Sequence, residues 1–162
     1  MAKKALDKTN VMRLLEQKKI SYTAHTYPHG NEPVDGLTVA GIIGRDPRQV
    51  FKTLVARGAS KAIYVFVIPV CGELDLKKAA KAVGEKSVAM IHVSEITPLT
   101  GYVRGGCSPV GMKKLYPTVY DSSCLEQETM LVSAGKIGFQ VETAPDALLS
   151  LTRGSTADLT TA

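Results

Sequence analysis

The 162-residue chain contains 44% hydrophobic and 22% charged residues, a composition typical of a globular protein that buries a core. Its length predicts one domain over residues 1–162, because domains most often hold roughly 100–150 residues. The formal net charge of +5 favours a polyanionic partner only mildly. RNA is compatible with this charge, whereas a dedicated non-specific DNA-binding protein would carry more.

The sequence has neither the pattern of a membrane helix nor that of a secretory leader. The longest apolar run, 62–71, is about half as long as a membrane helix and contains Pro69. Lys3 and Lys4 are followed by the polar run 7–10 instead of an apolar segment. The three cysteines are odd in number and widely spaced, which indicates neither a disulfide framework nor a zinc site. We therefore expect a cytoplasmic protein with reduced thiols, no metal and no cofactor.

In chain order, the first half of the sequence predicts short helices and strands joined by a loop. The predicted elements are a helix over 7–19, a strand over 20–27, a loop over 28–36, a helix over 37–43 closed by Gly44, a helical turn over 46–50, and strands over 51–57 and 62–69. The last of these is a nearly continuous β-branched and aromatic run. It therefore predicts a central strand that is buried on both faces and neighbours the strand before it.

The second half continues in the same way. It predicts helices over 74–83 and, capped by Ser94, over 94–99; strands over 87–91, 118–121, 129–133 and 137–142, the last two forming a hairpin; and a final helix capped by Thr143 and ending by 153. The ordered part is expected to run from about 5 to 153, with a frayed tail over 154–162. The sum is a mixed α/β fold. We expect a curved, mostly antiparallel or mixed sheet of about seven strands that approaches an irregular barrel, with four or five short helices around it.

The stretch 101–111, G-Y-V-R-G-G-C-S-P-V-G, is the candidate functional loop. Four glycines and a proline in eleven residues exclude a helix and let the backbone approach a ligand closely. Successive amide groups of such a loop can converge on a phosphate or on a developing oxyanion. The alternative is a wide turn between two strands. The position of the loop, after a helix and before a strand, is compatible with one wall of a pocket.

Conventional nucleophile and metal patterns are weak. Cys107 lies inside the glycine loop, but none of the three histidines stands at a spacing that links it to this thiol. Free cysteine is more often a small buried apolar residue than a nucleophile. His25 and His29 end a strand and are separated by Pro28, so they do not form a helical metal pair.

Lys52 and Ser133 are two further candidates. Lys52 interrupts an apolar strand, where period-two alternation places it on the face of Leu54 and opposite Thr53. Facing a pocket, it would supply a fixed positive charge for a phosphate or ribose oxygen; facing outward, it would be a solvated lysine. Ser133 ends a strand at a glycine turn, where its hydroxyl serves either a ligand or the turn itself.

Four motifs in register indicate a family. F-K-T-L at 51–54, L-D-L-K-K at 74–78, the glycine loop at 101–111 and V-S-A-G-K-I-G-F at 132–139 resemble the bacterial Cys-tRNA(Pro) deacylases of the YbaK/EbsC group. That group is similar to the editing domain inserted in bacterial prolyl-tRNA synthetases. The resemblance covers nearly the whole chain, from the first helix to about residue 153.

The resemblance implies a trans-editing enzyme that cleaves mischarged Cys-tRNA(Pro), with Cys-tRNA(Cys) as a second substrate. Prolyl-tRNA synthetase mischarges cysteine because a pocket for proline rejects an amino acid of similar size only weakly. In this family the thiol of the substrate's cysteinyl group attacks the ester carbonyl, and the cysteinyl group is released as a cyclic thiolactone. The implied partners are the aminoacylated 3′ end of tRNA(Pro) and, as a second candidate, prolyl-tRNA synthetase.

Site residues follow from the same resemblance. As catalytic residues it implies Lys52, which holds the phosphate or ribose of the terminal adenosine, Gly105, whose backbone binds the carbonyl oxygen, and Ser133, which contacts the aminoacyl group. The implied substrate-binding residues are Tyr27, Thr53, Gly106 and Pro109.

Two departures from the family leave the amino-acid preference open. Gln140 stands where close relatives often carry Asp, and the loop around Asp35 lacks a phenylalanine that some relatives have. One alternative is therefore an Ala-tRNA(Pro) deacylase that uses water as its nucleophile. Another is a non-catalytic module that binds tRNA ends or a synthetase. A comparison of cysteinyl, alanyl and seryl esters separates them, because only cysteine brings a thiol.

Overall fold

Two β-sheets and five short α-helices make up residues 8–161, the part of the chain that this computed structural model describes. The helices are α1 Asn10–Gln17, α2 Gly36–Ile43, α3 Leu76–Val83, α4 Val93–Thr100 and α5 Pro145–Thr152. The strands are β1 Thr23–Thr26, β2 Phe51–Gly58, β3 Ile63–Pro69, β4 Val88–Met90, β5 Thr118–Asp121, β6 Met130–Ser133, β7 Phe139–Thr143 and β8 Ser155–Ala157. The predicted start of the first helix, residue 7, lies outside the described residues. None of the described helices is long and apolar enough to cross a membrane.

The two sheets have different topologies. Strands β1, β7 and β6 form an antiparallel sheet in that order, and β4, β2, β3, β5 and β8 form a mixed one in which β5 pairs in parallel with β3 and with β8. A parallel bridge between Val50 and Leu131 joins the sheets, and Leu131 N–H donates to Gln49 O at 3.0 Å. The predicted mixed α/β fold is confirmed, with eight strands instead of about seven. Across residues 8–161 the sheets do not close into a barrel.

Strand β3 is the centre of the larger sheet, as its apolar sequence predicts. It pairs antiparallel with β2 from Phe51 opposite Pro69 to Arg57 opposite Ile63. Its residues from Val65 to Ile68 are fully buried, because apolar clusters cover both faces of the sheet. Helix α1 packs on one of these clusters through its own apolar face.

Local capping signals set most helix ends. Asp35 caps α2 and Asp75 caps α3, and the left-handed glycines Gly44 and Gly84 end these two helices. The prediction that Ser94 caps α4 is wrong. The cap is two residues earlier, at His92, whose N–H donates to Glu95 at 3.0 Å.

The cap predicted for α5 is also wrong. Ala144 occupies the capping position, while Thr143 is still part of β7. The hydroxyl of Thr143 donates to Ser21 O at 2.7 Å, so it satisfies the chain leading into β1 and not the helix. The Thr143 hydroxyl, which the local sequence assigns to the helix cap, is therefore used in a tertiary hydrogen bond instead.

The predicted frayed tail over 154–162 is wrong for residues 155–161. Strand β8 pairs in parallel with β5, and Leu159 beyond it is fully buried. Asp121 accepts the Leu159 N–H at 2.9 Å, and Lys78 Nζ donates to Thr160 O at 2.7 Å. The tail consists mostly of small and polar residues, and Leu159 is the apolar residue that packs into the core. The residues that contact Leu159 are distant from it in sequence.

Candidate functional site

A cavity of about 610 Å³ opens where the two sheets meet. Its walls come from β2, from the ends of β6 and β7, from the 28–36 loop, from the glycine loop, and from the edge formed by β4 and α4. Five of the seven predicted site residues line it: Tyr27, Lys52, Thr53, Gly105 and Ser133. The volume falls within the range of roughly 300–1,000 Å³ that small-ligand sites occupy.

Lys52 and Ser133 reach this cavity from different sheets. Lys52 is half-buried on β2, and Ser133 is 8% exposed at the end of β6. Within residues 8–161 the ion pairs engage other cations, so Lys52 has no carboxylate partner. Ser133 Oγ accepts the Gly135 N–H at 3.1 Å, which leaves its hydroxyl proton available for a ligand. The site thus offers one ammonium group and one hydroxyl donor.

Gly105 meets a requirement that only glycine fulfils at this position. Its φ is +88°, and a Cβ there would lie 2.8 Å from Cβ of Pro33. Both the left-handed backbone and the close approach of the 28–36 loop therefore demand glycine. Within residues 8–161, the Gly105 N–H makes no backbone hydrogen bond, so this donor at the cavity wall is free.

Gly106 and Pro109 do not line the cavity, and their contact with the substrate stays a prediction. The Gly106 N–H already donates to Val103 O at 3.0 Å. A Cβ at Gly106 would lie 3.0 Å from the backbone nitrogen of Ile137, so this glycine packs the loop against the turn before β7. Pro109 is buried and faces a second cavity of about 220 Å³.

The sequence reasoning missed the apolar wall and two charged residues of the cavity. The wall consists of Met90, Ile91, Val93 and Ile96. Arg104 and Glu32 are exposed at the lining. Arg104 could have been found, because it precedes Gly105 in the glycine loop. The apolar wall could not, since its residues come together only when β4 pairs with β2.

Two neutral oxygen atoms of the lining have no partner among the described residues. They are Oγ1 of Thr53 and Oε1 of Gln140, and both are buried. Gln140 is 6% exposed and stands opposite Ser133 in the pairing of β6 with β7. Gln140 therefore places a neutral amide in the cavity lining.

A hydrogen-bond network around Glu142 supports this end of the cavity. Its carboxylate lies 2.6 Å from Thr129 Oγ1, 2.7 Å from His25 Nε2, 3.0 Å from Arg45 Nη2 and 3.3 Å from Gln49 Nε2. Burial raises the pKa of Glu142, but the hydrogen bonds from Thr129, Arg45 and His25 outweigh burial and hold it at about 2. The network connects β1, β7 and the segments before β2 and β6.

Cys107 lines the cavity, but its environment disfavours a nucleophile. Burial raises the pKa of its thiol to about 11. A nucleophilic cysteine needs the opposite shift, because the thiolate is the reactive form. Cys107 is therefore a protonated thiol at neutral pH.

Comparison with solved structures defines the class of protein first. A crystal structure of the hypothetical protein APE2540 superposes with a TM-score of 0.83 at 22% identity, covering 93% of this chain and 99% of the other. A second crystal structure, of a candidate trans-editing enzyme for prolyl tRNA synthetase, gives a TM-score of 0.80 at 25% identity, covering 98% and 100%. The fold is therefore that of these small α/β domains.

Sequence comparison then identifies the family. Residues 35–151 match the aminoacyl-tRNA editing domain. The chain is also 45% identical over 159 residues to a protein of Enterococcus faecalis (strain ATCC 700802 / V583) named as a candidate Cys-tRNA(Pro)/Cys-tRNA(Cys) deacylase, EbsC. The match spans 98% of this chain and 97% of that protein. The chain belongs to the aminoacyl-tRNA editing domain family, which confirms the resemblance drawn from its four motifs.

Proposed function

We propose that this protein is a trans-editing deacylase that cleaves the ester of mischarged aminoacyl-tRNA, with Cys-tRNA(Pro) as its preferred substrate and Cys-tRNA(Cys) as a second one. The observation that carries this proposal is the meeting of Lys52, Gly105 and Ser133 at one cavity. The names of the EbsC relative and of the trans-editing structure support the same substrate class. The enzyme would act in the cytoplasm, and prolyl-tRNA synthetase is its proposed protein partner.

Each polar group at the cavity has a proposed role toward the charged 3′ end. The Lys52 ammonium group binds a phosphate or ribose oxygen of the terminal adenosine, with Thr53 beside it. The free N–H of Gly105 donates to the carbonyl oxygen and stabilises the oxyanion that forms there. Ser133 donates its hydroxyl proton to the aminoacyl group, and Tyr27 lines the pocket.

The reaction that we propose needs no protein nucleophile. The thiol sulfur of the bound cysteinyl group attacks its own ester carbonyl, which forms a carbon–sulfur bond and breaks the ester carbon–oxygen bond. The ribose oxygen leaves with the proton that the thiol gives up, and the amino acid leaves as a thiolactone. The protonated state of Cys107 supports this route, because the protein then offers no thiolate of its own at the cavity. The protein contributes by positioning the thiol and stabilising the oxyanion.

A single-turnover assay tests the proposal. Purified protein in excess is mixed with Cys-tRNA(Pro), Cys-tRNA(Cys), Ala-tRNA(Pro) or a seryl ester, and the released product is identified by its mass. We expect rapid release from the cysteinyl esters and a first product lighter than cysteine by one water. Release of unmodified alanine at a similar rate would indicate a water-dependent deacylase instead. Saturable tRNA binding without cleavage of any ester would indicate a non-catalytic module.

A further inference from the structure

A cluster of aromatic and basic side chains lies beside the cavity and has no role in the chemistry proposed above. It consists of His29, Lys136 and Phe139, and we call it the nucleotide patch. The ring centroid of His29 lies 6.2 Å from that of Phe139 and 6.5 Å from that of Tyr27. The Lys136 Nζ lies 5.7 Å from the centroid of Phe139. His29 and Lys136 are exposed, and Phe139 is half-buried beneath them.

The His29 ring packs directly against the backbone of Gly138. Gly138 has a φ of +94°, and a Cβ there would collide with this ring. The Tyr27 N–H donates to Gly138 O at 3.0 Å, which ties the strand before His29 to the same glycine. His29 Nδ1 lies 3.0 Å from Gly30 O, so this nitrogen donates its proton to the carbonyl oxygen. The ring thus lies directly against the turn that carries Gly138.

The nucleotide patch is continuous with the cavity. Tyr27 contacts His29 edge-on and also lines the cavity. On the other side, Gly106 lies against the backbone of Lys136, where a Cβ would come within 3.1 Å of its Cα. The exposed Arg104 stands in the same glycine loop. Over residues 8–161, Lys136 forms no ion pair, so its charge is available to an anion.

We propose that this patch binds the unpaired nucleotide that precedes the aminoacylated adenosine, an inference that rests on the proposed function. His29 and Phe139 would stack on its base, because aromatic rings bind the faces of unpaired bases with little sequence preference. Lys136 would contact its phosphate. A cation, an exposed imidazole and a half-buried phenyl ring next to a cavity for the terminal nucleoside fit single-stranded RNA. An acidic protein segment would need the cation but not the aromatic rings.

The test separates binding of RNA from chemistry in the cavity. Lys136→Ala and His29→Ala are compared with Lys77→Ala, which removes an exposed lysine on α3 away from the cavity. Affinity for a short single-stranded RNA ending in adenosine is measured by fluorescence anisotropy at several salt concentrations. Deacylation is measured on Cys-tRNA(Pro) and on cysteinyl-adenosine, which lacks the preceding nucleotide. Thermal melting verifies that each variant is folded.

We expect His29→Ala to weaken RNA binding about tenfold through lost stacking. Lys136→Ala should make the negative slope of log affinity against log salt shallower by about 0.7, the effect of one phosphate contact on a single strand. Both variants should lower kcat/KM on Cys-tRNA(Pro) and leave cleavage of cysteinyl-adenosine unchanged, while Lys77→Ala changes neither.

Wild-type RNA affinity and salt slope in both variants would overturn the inference, and so would an equal loss on the two esters. Lys136 is exposed, so its variant remains informative even where His29→Ala loses stability. Failure of the proposed function looks different. The wild-type protein would then cleave no ester at all, while the RNA-binding measurement still tests the nucleotide patch.

Discussion

Lys52 and Ser133 occupy matching positions, each two residues beyond the parallel bridge between Val50 and Leu131. The two strands belong to different sheets and are paired at that bridge, and the cavity is lined by residues of both beyond it. An ammonium group and a hydroxyl from distant parts of the chain therefore line one space. The bridge brings both residues to the lining of the same cavity.

Replacement of Lys52 by alanine should abolish most activity without unfolding the protein. The variant loses the charge that we assign to the terminal adenosine, and we expect single-turnover deacylation to fall by about 100-fold or more. The melting temperature should change little, because Lys52 is half-buried and forms none of the ion pairs of the described chain. Lys81→Ala, an exposed lysine of α3, is the matched control. Full activity of the Lys52 variant would remove this residue from the mechanism.

Replacement of Gly105 by alanine should impair both the loop and the reaction. The added Cβ would meet Pro33 at 2.8 Å in a backbone with φ of +88°, so the loop must shift. We expect the free energy of unfolding to fall by about 1–2 kcal/mol because of the left-handed backbone. The factor by which kcat/KM falls should exceed the factor that corresponds to this free-energy loss. Gly30→Ala is the control, because a Cβ at Gly30 meets nothing within 4 Å. Urea unfolding and single-turnover kinetics of the two variants provide the comparison.

Replacement of Cys107 by alanine should leave deacylation within about threefold of wild type, because a thiol with a pKa near 11 is not a nucleophile at neutral pH. Iodoacetamide should modify the exposed Cys71 before the half-buried Cys107, as mass spectrometry of the digested protein would show. A loss of activity in Cys107→Ala that matches the loss in Lys52→Ala would argue for a covalent route through this thiol.

Replacement of Glu142 by glutamine should destabilise the protein in a pH-dependent way. The folded pKa of Glu142, about 2, is lower than its ordinary value of 4.5, so its stabilising effect is complete above about pH 4.5 and is lost as the pH falls toward 2. We expect the variant to lose about 2 kcal/mol at pH 7 relative to wild type. The difference should shrink at pH 3, measured by urea unfolding at both values. Glu128→Gln, which changes an exposed acid before β6, is the matched control.

Replacement of Leu159 by alanine should cost about 2–4 kcal/mol, because the side chain is fully buried against the larger sheet. Leu125→Ala removes the same atoms from a leucine that is 60% exposed and should cost little. Denaturant unfolding of the two variants measures the difference. Equal stabilities would mean that the segment after α5 does not pack as described.

The elements that sequence predicts well are those whose signals are local. Asp35 and Asp75 lie directly before their helices, and Gly44 and Gly84 lie directly after them. Two of the failures, at Thr143 and in the tail, share one cause. Thr143 bonds to Ser21 across the sheet, and the end of the chain is held by β5, so in each case a distant partner decides the structure.

The site shows the same limit. The family resemblance of the four motifs implies that Lys52, Gly105 and Ser133 share one site. The spacing of these residues in the sequence does not by itself predict that they meet. Gly106 and Pro109 belong to the same glycine motif as Gly105, but they do not line the cavity. A motif indicates which loop matters, but the path of the backbone decides which of its residues reaches a ligand.

The backbone of Gly106 lies in close contact with the backbone of Lys136 and Ile137, with little room for a side chain between them. Any side chain at residue 106 would push the turn outward and lengthen the gap between the two places where consecutive nucleotides would rest. The absence of a Cβ at residue 106 therefore sets how closely the glycine loop and the turn before β7 approach each other.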